Sequence, residues 1–169
     1  MNVRIAVISS VAMLLLTVAG GCGPSKAGQV AREDARQRID SFKASYTYQQ
    51  ANQYFETGDF ERGLTEIELA IQQAPGAAMF HLLRGRMLLE LHRMEAAVES
   101  LTTAITLDAN ASEPYYYRGI AMQRWQRDEE ALADYQMAMT IDPSNVQYLT
   151  ASAEMLVTIG RTAEASELV

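Results

Sequence analysis

Cysteine occurs once in this 169-residue chain, at Cys22, and histidine only twice, at His81 and His92. A single thiol excludes an intrachain disulfide framework and any zinc site built from several thiolates. The two histidines would share a face of a continuous helix, but about 16 Å apart along its axis, too far for one metal ion. Basic charge is scarce as well. Fourteen Lys and Arg stand against 21 Asp and Glu, a net charge of −7, whereas a nucleic-acid partner requires a basic face to neutralise phosphates. No glycine-rich phosphate loop, nucleophile elbow or zinc-binding helix motif is present. Acid, base and nucleophile do not converge anywhere, so no enzyme activity, cofactor or metal site is expected. The acids Asp128, Glu129 and Glu130 begin a predicted helix, where negative charge favours the positive end of the dipole.

What is present falls into two parts. In residues 1–21 Arg4 is the only charge, and an apolar run extends from Ile5 to Ala19. That run is shorter than the roughly 20 residues a spanning helix needs and suits the apolar region of an export signal. It closes in Val18-Ala19-Gly20-Gly21-Cys22. Small residues before a lone cysteine resemble the lipobox of bacterial lipoproteins. The resemblance implies that residues 1–21 are a signal peptide, that the Cys22 thiol is acylated and becomes the N-terminus, and that residues 22–28 are a tether. An acylated thiol is inert in an oxidising compartment, and multiple acyl chains anchor a protein far more firmly than one. Gly23 after the cysteine, in place of Asp, resembles the outer-membrane sorting pattern of double-membraned bacteria. The expected location is the bacterial cell envelope, lipid-anchored and, with two membranes, on the outer one facing the periplasm.

From position 44 the sequence repeats every 34 residues. Ala51, Gly85, Gly119 and Ala153 form one column, Gly63, Ala97, Ala131 and Ala165 a second, and Ala70, Ala104 and Ala138 a third. Larger columns keep the same register: Tyr54, Leu88, Met122, Leu156, and Ile67, Leu101, Tyr135, Val169. A period of this length marks stacked supersecondary units. Within each unit, apolar residues step by three and four, which predicts two helices. Turn signals separate them: Thr57-Gly58-Asp59 inside a unit, and Ala74-Pro75-Gly76 and Asp142-Pro143-Ser144-Asn145 between units. Small columns let helix backbones approach, and large columns fill the space beside them.

The order small, aromatic, small, aromatic, small, proline resembles the tetratricopeptide repeat family, most closely in Tyr115 to Pro143. The resemblance implies an all-α, right-handed solenoid of antiparallel helix pairs, with units 44–77, 78–111, 112–145 and a partial 146–169. An N-terminal helix over 29–43 precedes them, and the absence of Gly and Pro from Gln29 to Phe55 predicts that it forms one long helix with the start of the first unit or two nearly collinear ones. Its stripe Ala31, Ala35, Ile39, Phe42, Tyr46 is expected either to pack back on the first unit or to mate with a second copy.

In this family the first helices of successive units line a concave groove for ligands. By register the groove presents Tyr48, Asn52 and Phe55, then Leu82, Arg86 and Leu89, then Tyr116, Ile120 and Gln123. The family's dicarboxylate-clamp subgroup has Lys and Asn at the positions of Tyr48 and Asn52, Asn at Leu83, and Lys and Arg at Glu113 and Tyr117. Only Asn52 agrees. An apolar groove suits a protein or peptide segment with large anchors. Arg93, Arg127 and Arg161 also recur at 34, with Asp59 in the first unit. They are expected to be solvated turn residues, neutralised by Glu95, Asp128 and Glu164.

The expected function is thus a lipid-anchored adaptor that holds a partner segment in its groove, similar to repeat-bearing lipoproteins of pilus secretin assembly or cell-wall hydrolase scaffolding. The alternative is a self-associating envelope lipoprotein, a homodimer paired through the N-terminal helix or the C-terminal end.

Overall fold

The computed structural model describes residues 25–168. The expected signal peptide, Cys22 and the start of the expected tether therefore lie outside the described residues. Those described form eight helices and no strand: α1 Lys26–Thr57, α2 Phe60–Gln73, α3 Ala78–Glu90, α4 Met94–Leu107, α5 Ser112–Arg124, α6 Asp128–Ile141, α7 Val146–Thr158 and α8 Thr162–Leu168. Residues through Arg38 and residues from Ile39 onward form separate compact units. The second is the solenoid, and its units start where the 34-residue period places them, at the first residues of α3, α5 and α7.

The small and large columns meet inside units two and three. A Cβ added at Gly85 would stand 2.5 Å from Leu101 Cγ, and one at Gly119 2.6 Å from Tyr135 Cε1. Sixteen residues therefore separate a small position on a first helix from its large partner on the second, and Ala51 with Ile67, both fully buried, occupies the same two columns. Between units, Gly63 is closed off by Met87, whose Cε would stand 2.7 Å from a Cβ added at 63. The core forms two clusters, one of residues from Ala44 to Ala121 and one from Met122 to Ala165, with Val98 and Ile120 packed against both.

The turn within each unit needs a left-handed residue. Gly58, His92, Gln126 and Gly160, spaced at 34, have φ of 78, 56, 61 and 83°. Between units the chain uses side chains. Asp108 and Asp142 accept from the backbone N–H two residues on, and Asn145 caps α7 by accepting from Gln147 N at 3.0 Å. Pro114 sits in the first turn of α5, where its missing N–H leaves no intrahelical bond unmade.

Of the two forms expected for the N-terminal stretch, the structure has the single helix: it continues past 43 as the first helix of unit one, and it begins at Lys26, so residues 26–28 are helical, not tether. Ser25 starts it: its hydroxyl accepts from Gly28 N and its carbonyl from Gln29 N. Ile39, Phe42 and Tyr46 of the stripe do not pack back on the repeats. Ile39, Phe42 and Tyr46 are 55, 78 and 59% exposed, because α1 turns Ala44, Thr47 and Ala51 toward the core instead. Thr47 is accommodated there by donating its hydroxyl back to the Lys43 carbonyl at 3.0 Å.

The groove of the first helices as candidate functional site

Helices α1, α3 and α5 bring one cation among aromatic rings. The Arg86 guanidinium lies over the Phe55 ring at 4.5 Å and over the Tyr117 ring at 4.8 Å, so it is held between two π faces. Its Nε is buried without a hydrogen-bond partner, and Arg86 forms no ion pair among the described residues. Tyr48 stacks on Phe80 at 5.1 Å beside this cluster. Burial raises the phenol pKa of both Tyr48 and Tyr117; Arg86 opposes the shift and Glu113 adds to it. The groove therefore offers neutral hydroxyls, ring faces and one positive charge.

Of the residues assigned by register, Tyr48, Asn52, Phe55, Leu82, Arg86, Tyr116 and Ile120 are all partly exposed. Leu89 is a correction: at 2% exposure it belongs to the core and presents nothing to a ligand. Its carbonyl ends α3 and accepts from Arg124 Nη1 of the next unit at 3.1 Å. Gln123 is exposed but already engaged, since its Oε1 accepts from the Tyr135 hydroxyl at 2.7 Å. Asn52 donates to Glu56 Oε1 at 2.9 Å.

Tyr116 has a structural duty as well. Its ring contacts Tyr117, Tyr135 and Tyr148 at 5.1–5.8 Å, and it edges a shallow depression with Gln147, Thr150 and Glu154 of α7. The partner of Arg86 is Tyr117, one position on and missed by the register argument. A residue beside a groove column is about 100° round the helix, enough to face the neighbouring helix instead of solvent. The clamp positions are not rebuilt by the fold: Leu83 is buried and Tyr117 covers Arg86.

The turn-edge arginines are neutralised, though by other acids than expected. Arg93 pairs with Glu61 of the preceding unit at 2.7 Å, Arg127 with Glu130, and Arg161 with Glu164 at 2.6 Å and Glu129 at 3.9 Å. Of the three acids expected, only Glu164 is used. No group of His, Cys, Asp and Glu able to hold a metal ion occurs among the described residues.

Comparison with known proteins agrees with this architecture. A family model described as Tetratricopeptide repeat matches residues 48–114. The DnaJ homolog subfamily C member 7 homolog of Dictyostelium discoideum is 25% identical over 100 residues, which cover 57% of this chain but 19% of that protein. The chain thus spans about a fifth of the length of that relative. Among solved structures, the first repeat domain of Spaghetti (RPAP3) bound to the HSP90 peptide SRMEEVD superposes with a TM-score of 0.69 at 21% identity, covering 70% of this chain and 94% of that one. MamA 41-end from Desulfovibrio magneticus RS-1 gives 0.69 at 22% identity, covering 74% and 71%. With the family's repeat matched over residues 48–114 and the same pairing of helices continued through α8, the described residues have the fold of a tetratricopeptide repeat solenoid.

Proposed function

We propose that the chain is a lipid-anchored adaptor of a bacterial cell envelope that holds a segment of a partner protein against Tyr48, Phe55, Arg86 and Tyr117. The observation that carries this reading is the Arg86 guanidinium between two aromatic rings with its Nε unpaired. Aromatics and Arg are common anchors of interfaces. The likeness to a repeat domain bound to a peptide supports a peptide segment as the ligand class. That peptide ends in acidic residues, whereas this chain has Tyr48, Leu83, Glu113 and Tyr117 in place of the clamp's amides and cations. The segment it takes therefore carries apolar anchors and at most one acidic group for Arg86. Membrane attachment rests on the leader and Cys22.

Two measurements test the reading. Protein extracted from membranes in detergent has an intact mass above that of the 22–169 polypeptide by its acyl chains; an unmodified Cys22 refutes the anchor. Partners captured from envelope extract by the chain from Gly23 onward are weakened about thirtyfold by Tyr117→Ala or Arg86→Ala, the usual cost of an anchor being about 2 kcal/mol or more. Arg127→Ala on the turn edge leaves capture unchanged. Retention of partners by both groove variants, with their melting curves intact, removes the groove from consideration.

A further inference from the structure

We propose that the outward face of α1 around Ile39, Phe42 and Tyr46 lies on an anionic lipid surface, a second membrane contact independent of any acyl chain at Cys22. It rests on the reading that the protein works at a membrane. Apolar side chains occupy two opposite sides of this helix. Ala44, Thr47 and Ala51 are buried against the repeats, while Phe42, Ile39 and Tyr46 are among the more exposed large apolar residues of the protein.

Charge decides what covers that side. Residues 26–43 hold five basic side chains, Lys26, Arg32, Arg36, Arg38 and Lys43, and three acidic ones, whereas residues 44–169 hold eight basic and eighteen acidic. No Lys occurs after Lys43. On the wheel of a regular helix, Arg32 and Arg38 flank the stripe at about 60° on either side and Lys43 at about 80°, while Glu33, Asp34 and Asp40 lie about 100° or further away. Apolar residues bordered by cations are the pattern of a helix resting at an anionic interface. A second copy would bring the same cations together along the seam and is disfavoured.

The test uses the chain from Gly23 onward, which lacks Cys22 and the leader but keeps the entire core, Ala44 to Ala165. Co-sedimentation is measured with vesicles of phosphatidylcholine alone and with added phosphatidylglycerol. Binding is expected only with the anionic lipid, falling at least tenfold as salt rises from about 0.1 to about 0.5 M. Phe42→Ser and the double change Arg32→Glu, Arg38→Glu each reduce it at least tenfold, with helicity and melting temperature unchanged because these side chains are exposed. Absence of binding to anionic vesicles overturns the proposal, as does binding that Phe42→Ser leaves intact. A concentration-dependent dimer abolished by Phe42→Ser, without vesicle binding, assigns the face to a second copy and overturns it too. None of these results bears on acylation, which the intact mass reads separately.

Discussion

Gly119 lies against the ring of Tyr135 so closely that a Cβ at 119 would stand 2.6 Å from Cε1 and 2.7 Å from Cδ1. The ring is buried, and its hydroxyl is fixed by Gln123, so it cannot swing aside. Gly119→Ala is therefore expected to destabilise by about 1–3 kcal/mol through overpacking. Unit one holds the same two positions as Ala51 and Ile67. Changing Tyr135→Ile together with Gly119→Ala should recover part of the loss, a coupling that a double-mutant cycle on urea midpoints reads directly. Additive effects would show that the two positions do not share one space.

This pairing was legible in the sequence because packing between adjacent helices acts on columns that recur. A small residue and a large one, sixteen apart and repeated at 34, leave few architectures open. The groove was legible only to within one helical position. Arg86 and Phe55 follow from the period, but whether Tyr116 or Tyr117 reaches Arg86 depends on the tilt of α5 against α3, which periodicity does not encode. Leu89 fails for the same reason, as it sits at the edge of the groove face, where a small rotation decides between core and solvent. The long N-terminal helix was visible in the absence of Gly and Pro from Gln29 to Phe55. That stretch fits one helix or two nearly collinear ones equally well, since nothing at 43 or 44 signals or forbids a break.

The left-handed turn column gives a prediction of opposite signs. His92 and Gln126 hold φ of 56 and 61° with side chains that disfavour it, whereas Gly58 and Gly160 hold it at no steric cost. Gln126→Gly should stabilise by up to about 1 kcal/mol and raise the melting temperature by a few degrees. Gly160→Ala should lower it, and backbone strain is the sole cause there, because an added Cβ would meet nothing within 4 Å. A loss of stability in Gln126→Gly would mean that its side chain contributes more than the strain costs.

Burial of phenols predicts a weakness at alkaline pH. Tyr48, Tyr117 and Tyr135 all have pKa values raised above the ordinary 10.0, burial being the main cause in each. A group whose pKa is higher folded than unfolded keeps its proton longer in the native state. Its contribution is therefore complete below the unfolded pKa and is lost as pH rises through the folded one. Urea midpoints should be insensitive to these groups up to about pH 9 and fall above about pH 10. Ultraviolet titration should show Tyr48, Tyr117 and Tyr135 ionising late, and a Tyr117→Phe variant should remove one late step. Ordinary titration of all three would contradict the packing described around Arg86 and Gly119.

Arg118 joins three helices through one guanidinium. From α5 it donates Nε and Nη2 to the two carboxylate oxygens of Asp134 on α6, at 2.8 and 2.7 Å, and Nη1 to Thr102 Oγ1 on α4 at 3.0 Å. Both partners are largely withdrawn from solvent, with side chains 21 and 9% exposed. The carboxylate also raises the Arg118 pKa through its hydrogen bonds. Removing one partner of such a pair leaves a charge without its counterpart, so Asp134→Ala should cost about 2–3 kcal/mol, below the 3–5 of a fully buried pair because Arg118 keeps some access to water and its bond to Thr102. Replacing both residues by apolar ones of similar size, Arg118→Met with Asp134→Leu, should restore most of the stability, since the desolvation of both charges is removed together. The control is Arg127→Ala, whose ion pair with Glu130 is exposed at the turn and should leave the melting temperature unchanged. Thermal and urea unfolding of the four proteins separates the cases. If Asp134→Ala melts like the parent chain, solvent reaches this pair far more than its geometry implies, and the junction of units two and three is held by the apolar columns alone.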